Sequence, residues 1–111
     1  MYEEQGSFFE EDYNGHVERF EEMLKKNESY FFDVDVFEYL AEHYLEDGNL
    51  RLALKALEIG ISQHPSSAII ILRKAQLHTS TGRIRSGHEL LNHAEALDPE
   101  NDEIYLTRAS L

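Results

Sequence analysis

The sequence predicts an all-α fold built from stacked helix pairs. Pro65 and Pro99 stand 34 residues apart, and pairs of similar residues between 33 and 111 recur with the same spacing. These pairs are Ala41 with Ala75, Gly48 with Gly82, and Leu57 with Leu91. A period of this length, with helical patterning inside each unit, is typical of arrays of helix pairs. Such arrays present surfaces to other molecules and rarely catalyse reactions, so we expect a binding protein and not an enzyme.

The amino-acid composition limits the kind of protein that this chain can be. It has 111 residues, no cysteine, and only two prolines, both placed between the repeated units. Without cysteine it forms neither a disulfide nor a thiolate metal site. Its first residues are acidic, whereas a signal peptide begins with basic ones, and no apolar run reaches the length of a membrane span. We therefore expect a soluble cytoplasmic protein that uses no metal or other cofactor.

The net charge of −12 is concentrated in the first half of the chain. Residues 1–50 carry 15 acidic and 3 basic side chains, whereas residues 51–111 carry seven of each. A negative field of this kind repels nucleic acid and anionic membranes, and it attracts a basic partner. The charge therefore argues against nucleic-acid binding and membrane binding. The alternative interpretation is that the acidic surface only keeps the protein in solution.

Two segments precede the repeats. Residues 1–14 show no clear helical period and are expected to form a mobile acidic tail. Residues 15–32 are expected to contribute a covering helix and a loop. Within this helix the apolar residues fall on one face and the charges on the opposite face. The apolar residues are Val17, Phe20, Met23 and Leu24.

The first helix pair is expected over residues 33–67. Asp33 is a good N-cap because its side chain can accept from an unpaired backbone N–H, and Phe32 before it can pack against Phe37. The first helix presents an apolar stripe at i, i+3, i+4 and i+7, and the second presents small residues where the helices approach closely. The stripe consists of Phe37, Leu40, Ala41 and Tyr44, and the second helix contributes Ala53, Leu57 and Gly60.

The second pair, expected over residues 68–101, repeats this plan. Gly48 and Gly82 can adopt positive φ in the turns inside the two pairs, and Asn49 can cap the helix that follows the first turn. The equivalent residues of the second pair are Ile71, Ala75, Gly82, Gly87, Leu91, Ala94 and Pro99.

Residues 102–111 are expected to form either the first helix of a partial third unit or a closing helix. Ser67 and Asn101 follow Asp33 at the repeat spacing and are expected to cap the helices that begin the second and third units. Because the chain stops at the apolar Leu111 in the middle of a repeat, we expect the natural protein to continue.

The repeated pattern resembles the tetratricopeptide repeat family. That family places an aromatic residue, Leu-Gly or Leu-Ala, and Tyr in the first helix, then Ala, a large apolar residue and Ala in the second, and Pro at the end. The first unit matches at Phe37, Leu40, Ala41, Tyr44, Ala53, Leu57, Gly60 and Pro65; the second matches at Ile71, Ala75, Gly87, Leu91, Ala94 and Pro99; the third matches at Tyr105 and Ala109. The resemblance covers residues 33–111 and implies a right-handed α-α superhelix of stacked antiparallel helix pairs, with about six helices. It says little about function, because one fold serves many unrelated partners.

Three positions depart from the family pattern. Lys74 and Arg108 stand where Leu is usual, and His78 stands where Tyr is usual. The favoured interpretation of the two basic residues is that their stems lie across apolar surface while their charged heads reach water. The alternative is that the heads pair with neighbouring carboxylates or with an acidic ligand. His78 is expected to take a core or boundary position.

Two segments that resemble catalytic motifs do not fit them. In HELLNH, residues 88–93, the two histidines are five apart, so they lie about 140° apart around a helix and cannot face one zinc ion. Gly82 and Gly87 have the glycine spacing of a phosphate loop, but the lysine that should follow them is missing. We therefore expect no catalytic residues and no metal-binding residues.

The resemblance also implies where a partner would bind. In the family, the first helix of each pair lines the concave surface. The groove residues implied here are Asp35, Glu38, Glu42, Leu45 and Glu46 in the first unit, Ile69, Leu72, Gln76, Thr79 and Ser80 in the second, and Glu103 and Leu106 in the last helix. In the first unit the helical period agrees, because these residues form a stripe distinct from the packed one.

The implied groove is acidic at one end and apolar in the middle. Family members that hold the acidic C-terminal tails of chaperones use Lys, Asn and Arg there, whereas Glu38 and Glu42 occupy those places here, so such tails are not expected as ligands. A protein or peptide with Lys or Arg beside an apolar anchor fits better. Two alternatives remain: the carboxylates form only a solvated face, or the repeats self-associate, for example as a homodimer or within a longer array, and bury Ile69, Ile70 and Leu72.

Overall fold

The computed structural model describes residues 2–111 as a chain of six α-helices, with side-chain positions for Tyr13 and for residues 15–111. The helices are α1 (Tyr2–Lys26), α2 (Val34–Glu46), α3 (Leu50–Gln63), α4 (Ala68–Ser80), α5 (Ile84–Leu97) and α6 (Asp102–Ala109). The part of the chain so described contains no β-strand. The predicted all-α class and the predicted number of helices are confirmed.

Helix α1 begins earlier than the sequence analysis predicted. It starts at Tyr2, whereas the covering helix was expected to follow a tail over residues 1–14. The side chains of residues 1–12 and 14 lie outside the described part of the chain, so the predicted mobility of this tail stays a prediction. The composition is compatible with a helical backbone, because α1 contains no proline and each of its two glycines costs only about 1 kcal/mol relative to alanine.

Each helix packs against the next one along the chain. The most extensive contacts join α2 to α3 and α4 to α5, and α3 packs against α4 between these two pairs. α1 covers α2, where the Tyr44 hydroxyl donates a hydrogen bond of 2.8 Å to Glu21. α2 also contacts α4 directly. Residues of α2 and α4 are therefore neighbours on one side of the molecule, although more than 20 residues separate the two helices in the sequence.

The turns inside the two pairs form as predicted. Gly48 has φ of 74° and Gly82 has φ of 88°, values that favour glycine because a Cβ would meet the adjacent carbonyl. The Asn49 side chain accepts a hydrogen bond of 3.1 Å from the backbone N–H of Leu52 and so caps α3. These turns are short, which keeps the two helices of each pair in contact.

The three predicted caps at the repeat spacing differ from one another. Asn101 accepts a bond of 3.0 Å from the backbone N–H of Glu103, as expected. Asp33 and Ser67 occupy the N-cap positions of α2 and α4, but their side chains make no capping bond, so the prediction is wrong for both. The backbone does not account for the difference, because the carbonyls of Asp33 and Asn101 both accept from the N–H three residues further on, at 3.1 Å and 3.2 Å.

The core consists of two apolar clusters. The first joins α1, α2 and α3 and includes Ile70 and Leu77 from α4. The second joins α4, α5 and α6. Ile61 and Ile69 contact both clusters. The buried residues of the second cluster are Ile71, Leu72, Ala75, Leu91, Ala94 and Ile104. The predicted stripes of both pairs lie in these clusters, and the apolar face of the covering helix packs against the first one.

Close approach between helices explains the buried glycines. A Cβ added to Gly60 would lie 2.9 Å from Cγ of Phe37, and Phe37 itself is fully buried. A Cβ added to Gly87 would collide with the methyl group of Thr79. Both glycines occupy positions where only a small residue lets the two helices of a pair meet, as the sequence pattern predicted.

The loop between α1 and α2 is anchored to the end of α3. The Gln63 side chain accepts from the Phe32 backbone N–H at 3.0 Å and donates to the Tyr30 carbonyl at 2.6 Å. The Phe32 ring packs edge-on against Phe37 with 5.7 Å between the ring centroids, which confirms the predicted contact across the start of α2.

The positions that depart from the family pattern have different surroundings. His78 is buried, and this burial, followed by the charges of Lys74 and Arg83, lowers the pKa of its imidazole. Lys74 lies 4.0 Å from a carboxylate oxygen of Glu58. The favoured interpretation is wrong for Arg108, because its guanidinium pairs with Glu95 at 2.8 Å and does not simply extend into water.

Candidate functional site

A cavity of about 480 Å³ opens between α2 and α4. It is lined by Glu38, Ala41, Glu42 and Leu45 of α2, by Leu57 of α3, and by Arg73, Gln76, Leu77 and Ser80 of α4. Five of the predicted groove residues lie on it: Glu38, Glu42, Leu45, Gln76 and Ser80. We refer to this cavity and the residues that line it as the α2–α4 groove.

The helical period explains why these residues line one surface. Residues 38, 41, 42 and 45 follow the spacing i, i+3, i+4 and i+7, and residues 73, 76, 77 and 80 follow the same spacing. Residues so spaced lie along one face of a helix, so α2 and α4 each present one stripe to the groove. The α2 stripe combines two carboxylates with Ala41 and Leu45, whereas the α4 stripe has three polar or charged residues and Leu77.

Arg73 lies at the centre of a polar network on this side of the molecule. Its Nε donates to a carboxylate oxygen of Glu38 at 3.1 Å, and its Nη1 donates to Oε1 of Gln76 at 3.0 Å. Nη1 also forms a short ion pair with Glu103 of α6. Gln76 completes the network, since its Nε2 donates to Glu103 at 2.9 Å and to the Thr107 hydroxyl at 3.1 Å. The Arg73 network therefore joins α2, α4 and α6.

The network favours the ionised form of Glu103. The hydrogen bond from Arg73, and after it the bond from Gln76, lowers the pKa of this carboxyl group. Glu103 forms a charged pair with the guanidinium at neutral pH and keeps its charge to a lower pH than an isolated glutamate does. The side chains of the two ion pairs are partly exposed: Arg73 is 32% exposed, Glu38 31% and Glu103 43%. Water therefore screens both pairs in part.

The carboxylates near the C-terminal end of α2 have different surroundings. Glu42 and Glu46 are exposed, and neither has an ion-pair partner among the residues that the structure describes. Asp35, at the opposite end of α2, is also exposed and accepts a hydrogen bond of 3.2 Å from the Tyr13 hydroxyl. The negative charge that is free to meet a ligand is thus concentrated near the end of α2.

Several predicted groove residues lie elsewhere. Leu72 is fully buried in the second core cluster, so its assignment to the groove is wrong. Ile69 is partly buried between the two clusters. Thr79 lies against Gly87, and its hydroxyl donates to the Gln76 carbonyl at 3.0 Å. Leu106 is 68% exposed on α6 but does not line the cavity.

Sequence reasoning missed Arg73 as a groove residue. Its position was left out because groove positions were carried over from the family pattern, and α4 begins with five consecutive apolar residues that mark no single face. A signal was nevertheless present. Arg73 precedes the predicted groove residues Gln76 and Ser80 by three and seven positions, which is the spacing of one helix face.

The lining of the groove is chemically mixed. It combines carboxylates, one amide, one hydroxyl and one guanidinium around an apolar floor, which suits recognition of a charged and apolar ligand. In the part of the chain that the structure describes, no group of three or more His, Cys, Asp or Glu side chains is placed to hold a metal ion.

The chain matches no family model, no curated protein and no solved structure. Among the described residues, no helix has both the length and the apolar character needed to cross a bilayer.

Proposed function

We propose that this chain is a non-enzymatic protein–protein interaction module that binds a partner protein or peptide in the α2–α4 groove. The observation that carries the proposal is the cavity itself, which lies between the first helices of two successive pairs and has an apolar floor with a charged edge. Its volume of about 480 Å³ lies within the range of about 300–1,000 Å³ that is usual for ligand sites.

We propose further that the six helices form a superhelix of the tetratricopeptide type, with helix pairs at residues 33–67 and 68–101 and a closing or partial unit at 102–111. The 34-residue period and the contacts between consecutive helices support this arrangement. In such an array α2, α4 and α6 share the inner surface, and the Arg73 network joins these same three helices. The cytoplasm is the compartment proposed for this module.

A capture experiment with matched charge reversals tests the function. Wild type, Glu42→Lys and Glu89→Lys serve as baits in a lysate of the source cells, and mass spectrometry identifies the proteins that each bait retains. Glu42 lines the groove, whereas Glu89 is exposed on α5 and carries the same charge. Glu38 is left intact because it pairs with Arg73.

The expected result is a protein that wild type and Glu89→Lys retain and Glu42→Lys loses. Binding of the purified partner must then show the same order, measured with recombinant proteins. A partner that binds all three baits equally would contradict the groove as the binding surface, because reversing the charge at its edge would have had no effect.

A second candidate function is self-association. The surface expected for it does not fit, because Ile70 and Leu72 are fully buried in the core, so we propose the last helix instead. Leu106 is 68% exposed on α6, and Leu97 and Tyr105 nearby are also exposed apolar residues. A contiguous apolar surface can be covered by a second copy of the chain. Sedimentation of wild type and of Leu106→Glu over a range of protein concentrations separates the two functions. A dimer that the substitution dissociates favours self-association, and a monomer throughout favours the groove.

A further inference from the structure

Charge and apolar surface are unevenly distributed along the α2–α4 groove, and this distribution indicates the chemistry of its ligand. We propose that it binds a peptide segment in which a lysine or arginine stands beside an apolar residue. The cation pairs with Glu42 near the ends of α2 and α4, and the apolar side chain enters the cavity. This inference rests on the proposed function, since it assigns the ligand of the same groove.

The position of the cavity along its two helices favours a cation. On these two helices its lining residues extend from the middle of α2 into its last turn, at 38–45, and from the middle of α4 to its last residue, at 73–80. The C-terminal end of a helix carries a partial negative charge, because the last carbonyl groups have no partner within the helix. The cavity reaches both of these ends, at Leu45 and Ser80, and the exposed carboxylates of Glu42 and Glu46 belong to the same part of α2. A positive group placed there meets negative charge from both helices.

The same groove offers no free cation to an acidic ligand. Arg73 is the only Lys or Arg among its lining residues. The guanidinium already binds Glu38, Gln76 and Glu103. An acidic ligand would have to compete with two carboxylates of the protein and would meet Glu42 in addition. This arrangement discriminates against acidic peptides by repulsion as well as by lack of attraction.

The apolar half of the ligand is argued from the floor of the groove. Ala41, Leu57 and Leu77 are buried in the core and present their outer surfaces to the cavity. Leu45 is 43% exposed at its edge. An apolar side chain in the cavity covers surface that now faces water, which is favourable in proportion to the area covered. Glu42 lies within one helix turn of Ala41 and Leu45. The basic residue and the apolar residue of the ligand must therefore be close neighbours in its sequence.

Selection from a random library of linear peptides tests this assignment without a known partner. Peptides displayed on phage are selected on wild-type protein, and the enriched sequences are synthesised with a fluorescent label. Fluorescence anisotropy then gives the affinity of each peptide for wild type and four variants. Glu42→Gln removes the proposed cation site, with Glu89→Gln as its control; Leu45→Ala shortens the edge of the apolar floor, with the equally exposed Leu50→Ala as its control.

We expect enriched peptides to contain Lys or Arg within two positions of a large apolar residue. Their affinity should fall about three- to fivefold in Glu42→Gln, about threefold or more in Leu45→Ala, and by less than about twofold in either control. Wild-type binding should weaken as the salt concentration rises, and the Glu42→Gln variant should show a smaller salt dependence. Circular dichroism of each variant checks that the helices remain folded.

The other outcomes separate this inference from the proposed function. Peptides that need Leu45 but bind Glu42→Gln normally, or that are enriched in Asp and Glu, overturn the cationic assignment and leave a peptide-binding groove. Peptides whose binding depends on neither residue overturn both, because the ligand then binds another surface. A selection that enriches no sequence above an unrelated control protein also overturns both.

Discussion

Replacement of Arg73 by methionine would remove the polar connection between α2, α4 and α6 while keeping an apolar stem of similar length. In the wild-type protein the guanidinium bonds to Glu38, Gln76 and Glu103. We expect Arg73→Met to fold, because apolar contacts in the two core clusters remain, but to be less stable.

The magnitude follows from the exposure of the groups involved. The side chains of this network are about one-third to two-fifths exposed, so each ion pair is screened by water and contributes no more than a surface pair, about 0.2–1 kcal/mol. The bond to Gln76 adds about 1 kcal/mol. We expect the free energy of unfolding to fall by about 1–2 kcal/mol at neutral pH. For a chain of this size that corresponds to a Tm lower by about 4–8 °C.

The loss should depend on pH in a defined direction. Contact with Arg73 lowers the folded-state pKa of Glu103 from its ordinary value of 4.5. A group whose folded pKa is depressed contributes stability that is fully present above its unfolded pKa and is lost as the pH falls through the folded pKa. The difference between wild type and Arg73→Met should therefore be constant at neutral pH and shrink below pH 4.5.

Urea unfolding of wild type, Arg73→Met and the exposed control Arg85→Met measures these effects between pH 3 and pH 8. Adding Glu103→Gln alone and in combination with Arg73→Met completes a double-mutant cycle, which should give a favourable coupling of about 0.5 kcal/mol or more. A loss below about 0.3 kcal/mol at pH 7, or a loss that does not change below pH 4.5, would refute the reasoning.

Two further substitutions, each with a control variant, test the packing of α2 against α3 and the anchoring of the loop between α1 and α2. Gly60→Ala should lower the free energy of unfolding by about 1–2 kcal/mol, because the added methyl group crowds the buried ring of Phe37. A Cβ added at Gly15 would meet nothing within 4 Å, so Gly15→Ala should raise the free energy of unfolding by about 0.5–1 kcal/mol. Urea unfolding measures both changes, and changes of the same sign would contradict the packing argument. Gln63→Ala should cost about 1–3 kcal/mol, since it leaves two backbone groups of the preceding loop without their partner, whereas the exposed Ser62→Ala should change stability by less than about 0.5 kcal/mol. Equal thermal shifts for these last two variants would contradict the proposed anchoring of the loop.

The repeat spacing predicted the framework of the fold because it constrains many residues at once. A stripe at i, i+3, i+4 and i+7 can be buried only on one helix face, and Phe37, Leu40, Ala41 and Tyr44 are indeed buried together. The glycines at the two turns and at the two close helix contacts could be read for the same reason, since few other residues fit those positions. Capping was less predictable: Asn101 bonds through its side chain and Asp33 does not, although the backbone carbonyl of each accepts from the N–H three residues further on.

The groove was predictable on α2 and much less so on α4. In α2, charged and apolar residues alternate with the helical period, so Glu38, Glu42 and Leu45 could be assigned to one face. α4 begins with consecutive apolar residues, and its pattern could not distinguish the buried Leu72 from a residue at the surface. The role of Arg73 was out of reach for another reason. Its charged partners are 35 and 30 residues away in the sequence, and only packing of the three helices brings them together.

The division of the core into two clusters determines the order in which we expect the helices to unfold locally. The first cluster draws on four helices and holds the large buried aromatic residues, whereas the second is smaller and ends at α6. In arrays where each unit contacts only its neighbours, the end with the weaker interface exchanges its amide hydrogens first. We expect α5 and α6 to exchange before α2 and α3, with α4 shared between the two. Because the groove touches the first cluster and the Arg73 network reaches α6, a bound ligand would slow exchange at residues it never contacts. Ligand binding would then couple local unfolding of α6 to that of the helices around the groove.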